Sequence, residues 1–115
     1  MAKVKKKVAS ERLADVPREK WFLCSDGRIL RNLSELKIAL EEMSEETFRY
    51  HFNKSQNDFA DWVRDVVGDD KLSRDLLESN TRTESAKRVA DRITRLRSKL
   101  VVEWSPLFKP RGWPV

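Results

Sequence analysis

The sequence predicts a mainly α protein: a compact helical domain of about five helices with one small β-hairpin near its N-terminus. Three observations carry this. Apolar residues recur at helical spacing, at Phe59, Trp62, Val63 and Val66 and again at Ala86, Val89, Ile93, Leu96 and Leu100. Capping residues and a stop glycine bracket these runs. Only three Gly and four Pro occur in 115 residues, which argues against a loop-rich or all-β chain. That length suits one domain, and 39% apolar residues supply one modest core. Charged residues make up 37%, well above the usual quarter, as suits a strongly solvated helical surface of the kind enriched in thermophilic proteins.

The expected organisation is a basic flexible arm over 1–16, a helical domain over 17–102 and an extended tail over 103–115. The arm carries Lys3, Lys5, Lys6 and Lys7, like charges too dense to order without apolar surface. A short helical turn over 10–16 would end at Pro17. Residues 21–32 read as a hairpin, with Asp26-Gly27 as a two-residue type I′ turn. Phe22 and Cys24 would face one side of it, Trp21 and Leu23 the other. A helix follows over 34–43, with Ser34 as N-cap and Leu33, Leu36, Leu40 and Met43 as its apolar stripe. Ser44 opens the next, whose inner face holds Phe48, His51 and Phe52. After the polar link 53–57, Asn57 caps the helix of Phe59 and Trp62, Asp58 lies in its first turn, and Gly68 stops it. A fourth helix over 70–78 presents Leu72, Leu76 and Leu77. The longest helix, 83–102, begins at a capping box of Thr81 and Glu84 and carries a heptad-like seam. Pro106 and Pro110 should keep the tail extended, with Trp104, Phe108 and Trp113 as anchors.

Phe48, His51, Asn53, Asn57, Asp58, Phe59, Trp62, Val63, Val66, Gly68 and Asp69 together resemble the pattern F-x-x-H-x-N-x-x-x-N-D-F-x-x-W-V/I-x-x-V-x-G-D. That pattern marks an uncharacterised prokaryotic domain family, largely archaeal, with no assigned activity. The resemblance spans roughly residues 20–80 and implies a shared helical domain, leaving function open.

Several chemistries are excluded by residue type. One His and one Cys cannot build a zinc site, and no aspartate run has calcium-loop spacing. Gly27, Gly68 and Gly112 are isolated, so there is no phosphate loop. No metal or cofactor is implied. No apolar run approaches the length of a membrane span, and no apolar stretch follows the N-terminal lysines as in a secretory signal. A single cysteine allows no internal disulfide, and a cytoplasmic location is the simplest expectation. Cys24 lacks an activating base and reads as a buried structural thiol. His51 with Asn53, Asn57 and Asp58 is the one polar constellation that suggests catalysis, with His51 as a base oriented by Asp58. The alternative is that His51 hydrogen-bonds the Asn-Asp turn and locks two helices.

Charge distribution gives the stronger functional signal. The net charge of +5 divides into +4 over residues 1–12, −5 over 13–81, +5 over 82–102 and +1 over 103–115. An acidic body thus carries basic ends. The long helix would set its cations along about 20 Å, spaced for phosphates of a duplex or structured RNA. The expected function is non-enzymatic, sequence-independent binding of nucleic acid, either RNA in a ribonucleoprotein or DNA. Phosphate contacts would come from Lys3, Lys5, Lys6, Lys7, Arg88, Arg92, Arg95, Lys99, Lys109 and Arg111, and base stacking from Trp104 and Trp113. The alternative is an adaptor whose seam pairs with a protein partner or a second copy. In either case the same cations can instead pair with the protein's own acids.

Overall fold

A computed structural model describes the backbone of residues 6–108 and the side chains of residues 6–100. The fold is mainly helical, with one two-stranded sheet. Six α-helices occur in the described residues: α1 Lys6–Leu13, α2 Leu33–Glu42, α3 Glu45–His51, α4 Asp58–Trp62, α5 Asp70–Glu78 and α6 Arg82–Phe108. The sixth helix beyond the expected five is α1, which lies within the segment read as an arm. Ala9 is fully buried, Leu13 and Val16 pack on the core, and α1 lies along α6. Small apolar contacts order this segment while Lys6 and Lys7 remain at the surface.

Strands β1 (Phe22–Leu23) and β2 (Ile29–Leu30) pair antiparallel, with Phe22 opposite Leu30 and Leu23 opposite Ile29. Phe22 and Cys24 point inward and Leu23 outward, as the alternation predicts. The turn differs from the two-residue expectation. Cys24 N–H donates to Arg28 O at 2.9 Å and Gly27 N–H to Cys24 O at 3.0 Å. The loop is therefore Ser25-Asp26-Gly27, and only Gly27 has positive φ, at 97°. A three-residue loop with one left-handed residue needs a single glycine, whereas type I′ would also put Asp26 at positive φ.

Local capping chemistry sets the helix starts. Asn32, not Ser34, caps α2, its side chain accepting from Glu35 N–H at 2.8 Å. Leu33 then becomes the first helical residue, and Leu33, Leu36, Leu40 and Met43 are all buried. Ser44 caps α3 through Thr47 N–H, and Asn57 caps α4 through Ala60 N–H. Past Trp62 the helix widens to a π turn, Val63–Val67, in which Gly68 N–H reaches Val63 O at 2.8 Å. Gly68, at φ 86°, ends it. Asp69 follows, fully buried, and caps α5 through Leu72 N–H. On α5, Leu72 and Leu76 are buried but Leu77 is exposed, since it lies off the stripe facing α4 and α6.

The core is an aromatic stack extended by the helical seam. Phe22 and Phe48 each stack on Phe59, and Trp62 meets Phe22 edge-on. Ala86, Val89, Ile93 and Leu96 of α6 are buried in the same cluster, with Leu100 partly buried. The seam therefore faces the chain's own body, mainly α2 and α1. Arg82 ties the start of α6 to the end of α2, donating to Leu40 O and Glu41 O at 2.8 and 2.9 Å, where helix carbonyls lack partners. At its other end α6 continues to Phe108, past Pro106, where an extended tail was expected. Proline removes one donor, and later residues can still bond carbonyls of the preceding turn. The side chains of Trp104 and Phe108, and all of 109–115, lie outside the described residues.

Candidate nucleic-acid interface

Two regions compete as the functional site: the His51 constellation and the cationic side of α6. At His51 every polar atom is committed. Ser25 N–H donates to His51 Nε2 at 3.0 Å, so Nε2 carries no proton. His51 Nδ1 therefore holds the hydrogen and donates it to Asp58 Oδ2 at 2.9 Å. The ring is 5% exposed, packed against Phe22 and Phe59. A base needs a lone pair facing substrate, and here the lone pair receives a backbone amide. His51 instead ties the hairpin loop to α3 and α4. Its neighbours are equally occupied: Asn53 donates to Arg49 O at 3.0 Å and accepts from Ser55 N–H at 2.9 Å. Asn57 adds to its cap a bond to Leu76 O at 3.1 Å, and Trp62 Nε1–H donates to Lys20 O at 2.8 Å.

His51→Gln should accordingly lower stability by about 1–3 kcal/mol, the penalty of leaving buried partners imperfectly paired. Urea unfolding measures it; an unchanged midpoint would contradict the locking role. Cys24 offers no alternative nucleophile. Burial, with Asp26 adding to it, pushes its thiol up to about 11, so it stays protonated near neutral pH.

The cations of α6 are arranged by the helix start. Glu84 N–H bonds Thr81 Oγ1 at 3.0 Å, and Glu84 Oε1 reaches back to Asn80 N–H at 2.9 Å. That backbone bond, with Arg88 beside it, holds the Glu84 carboxyl below its ordinary range. With the seam turned inward, the remaining positions fan across α5 and solvent. Arg88 lies 3.2 Å from Glu84, 3.8 Å from Asp75 and 4.0 Å from Glu78. Lys87 pairs with Asp91. Arg92 is only 8% exposed and forks onto Asp69 at 2.7 and 3.0 Å. Arg12 of α1 approaches the same carboxylate at 3.9 Å.

Arg92 therefore has to be removed from the phosphate contacts read from the sequence, because its guanidinium is consumed inside the protein. Arg88 is partly consumed by the acidic side of α5. Arg95 is exposed and Lys99 half-buried, and neither makes an ion pair among the described residues. Lys6 and Lys7 are on the surface of α1. Lys3, Lys5, Lys109 and Arg111, and the side chains of Trp104 and Trp113, lie outside the described residues.

Between α5 and α6 runs an open cleft of about 330 Å³, lined by Lys71, Asp75, Arg88, Asp91, Arg92 and Arg95. With Arg92 spent on Asp69, three cations, Lys71, Arg88 and Arg95, stand there against Asp75 and Asp91. Lys71 was not singled out from the sequence. Its pairing with Asp75 at 2.9 Å is an ordinary i,i+4 surface pair, so only the packing of α5 on α6 reveals its place. Among the described residues no helix is long and apolar enough to cross a membrane. Comparison with protein-family profiles, curated proteins and solved structures finds no match to this chain.

Proposed function

We propose that this chain is a non-enzymatic, sequence-independent nucleic-acid-binding protein that contacts phosphates of RNA or DNA. The observation that supports this reading is the α5–α6 cleft, where Lys71, Arg88 and Arg95 flank a groove and Arg95 has no acidic partner among the described residues. Lys99 continues the line one turn further along α6. An anion entering the cleft would meet Arg95 and could draw Lys71 and Arg88 from their partly exposed carboxylates, because ion pairs open to water are worth little. The cytoplasm, where a lone reduced cysteine is ordinary, is the proposed location.

Fluorescence anisotropy with labelled RNA and DNA duplexes tests it, at about 50 and 200 mM salt. If about five phosphates are contacted, affinity should fall by two to three orders of magnitude between those salts, as counterion release requires. Arg95→Glu with Lys99→Glu should weaken binding and flatten the salt slope by about two. A truncation probing the lysine arm should stop before Lys6, since α1 belongs to the packed body. No binding at the lower salt would end this reading and turn the basic helix towards a protein partner.

A further inference from the structure

Between α1 and β1 the chain makes one 3-10 turn, Arg18–Lys20, opened by Pro17. It is tied down at several points. Lys20 N–H donates to Pro17 O at 2.8 Å, Trp21 N–H to Arg18 O at 3.3 Å, and the buried Trp62 holds Lys20 O. Trp21, half-buried, donates Nε1–H to Val16 O at 3.2 Å, which fixes the plane of its ring. The guanidinium carbons of Arg18 and Arg31 each lie 5.7 Å from the ring centroid. Arg31 is pinned by Glu35 at 2.8 Å. Arg18 and Lys20 are exposed and make no ion pair among the described residues. Glu19 is the one acid on this turn, so the turn keeps a net positive charge.

A fixed aromatic ring beside unpaired cations, on a rigid backing, is what an unstacked base and its phosphate require. We propose that Arg18, Lys20 and Trp21 form a contact for an unpaired nucleotide of single-stranded RNA or DNA. The inference rests on the nucleic-acid reading above and deepens it from phosphate contact to base stacking. Arg31, held by Glu35, remains over the ring. Arg18, bound to no carboxylate among the described residues, yields its place to the base and takes the adjoining phosphate with Lys20. The body of the protein then supplies the stacking that the sequence suggested for Trp104 and Trp113.

The test is anisotropy of the full-length protein with labelled oligo(U), oligo(dT) and a duplex, each about 12 nucleotides long, at about 50 mM salt. Trp21→Ala should weaken single-strand binding about tenfold and leave the duplex nearly unchanged, while Trp21→Phe, which keeps a ring, should retain most of the affinity. If Trp21→Ala does not fold, Arg18→Glu with Lys20→Glu takes its place, since both side chains are exposed; it should weaken the single strand more than the duplex. Comparison of oligo(U) with oligo(dT) separates RNA from DNA as the source of the strand. Full single-strand affinity in these variants, with loss in the Arg95→Glu, Lys99→Glu variant, would overturn this contact and leave the phosphate reading intact. Absence of binding by the unmodified protein to any of the three probes would overturn both.

Discussion

Asp69→Asn is expected to destabilise the protein by about 3–5 kcal/mol, the range for breaking one partner out of a buried ion pair. Asparagine is chosen because it preserves the other role of the residue. Asp69 Oδ1 accepts Leu72 N–H at 3.1 Å as the N-cap of α5, and an Asn carbonyl caps equally well. What is lost is the charge that faces Arg92 at 2.7 Å, with Arg12 beside it at 3.9 Å. Arg92 is 8% exposed, and with Asp69 neutral its charge is expected to stay buried and uncompensated. The double variant Asp69→Asn, Arg92→Met should recover most of the loss, because a buried pair replaced as a whole is often nearly neutral. Urea unfolding of both variants decides the matter. A single variant within about 0.5 kcal/mol of the unmodified protein would mean that Arg92 rehydrates through the cleft.

The same pair marks where reading the sequence stops being sufficient. Helix existence and helix starts depend on residues a few positions apart, so Ser44, Asn57, Gly68 and Thr81 with Glu84 could all be placed from the chain alone. The inward stripe of α2 and the seam of α6 follow from spacing in the same way. Adjacent candidates are harder to separate: Asn32 and Ser34 both suit a cap, and only the backbone decides which side chain reaches its amide. The hairpin turn failed for a related reason, since Asp-Gly suits both a two-residue loop and a three-residue one. Non-local electrostatics were least accessible. Arg92 looks like Arg88 and Arg95 in the sequence, yet its partner lies 23 positions away, at the cap of another helix. Arg18 and Arg31 meet on Trp21 because the hairpin register sets Arg31 across from Trp21 and Val16 N–H bonds Arg31 O, at 2.8 Å. The π turn leaves no pattern in spacing, because the valines satisfy an α-helix equally well. At His51 both roles were stated, and geometry separates them: Ser25 N–H, from a hairpin loop distant in sequence, occupies the nitrogen that a base would need.

Leu96→Asn, alone or with Ile93→Asn, is expected to unfold the chain rather than to release a partner. Leu96 is fully buried and Ile93 nearly so, both inside the core shared with α2 and α1. Removing a buried leucine costs about 2–5 kcal/mol with its cavity, and an amide without a partner adds about 1–3 kcal/mol. Together these approach the whole stability of a small domain, about 5–15 kcal/mol. The second substitution should exceed it. Far-ultraviolet circular dichroism should then show loss of helix at room temperature, and size exclusion an expanded or aggregated chain. The opposite outcome is equally well defined. Had the seam been a contact between copies, its polar variants would remain helical and merely elute as smaller species. A folded, smaller species from Leu96→Asn would therefore detach the seam from the core and restore it as a binding surface. Loss of the fold would leave the outer side of α6, with Arg95 and Lys99, as the part of this helix available to a partner.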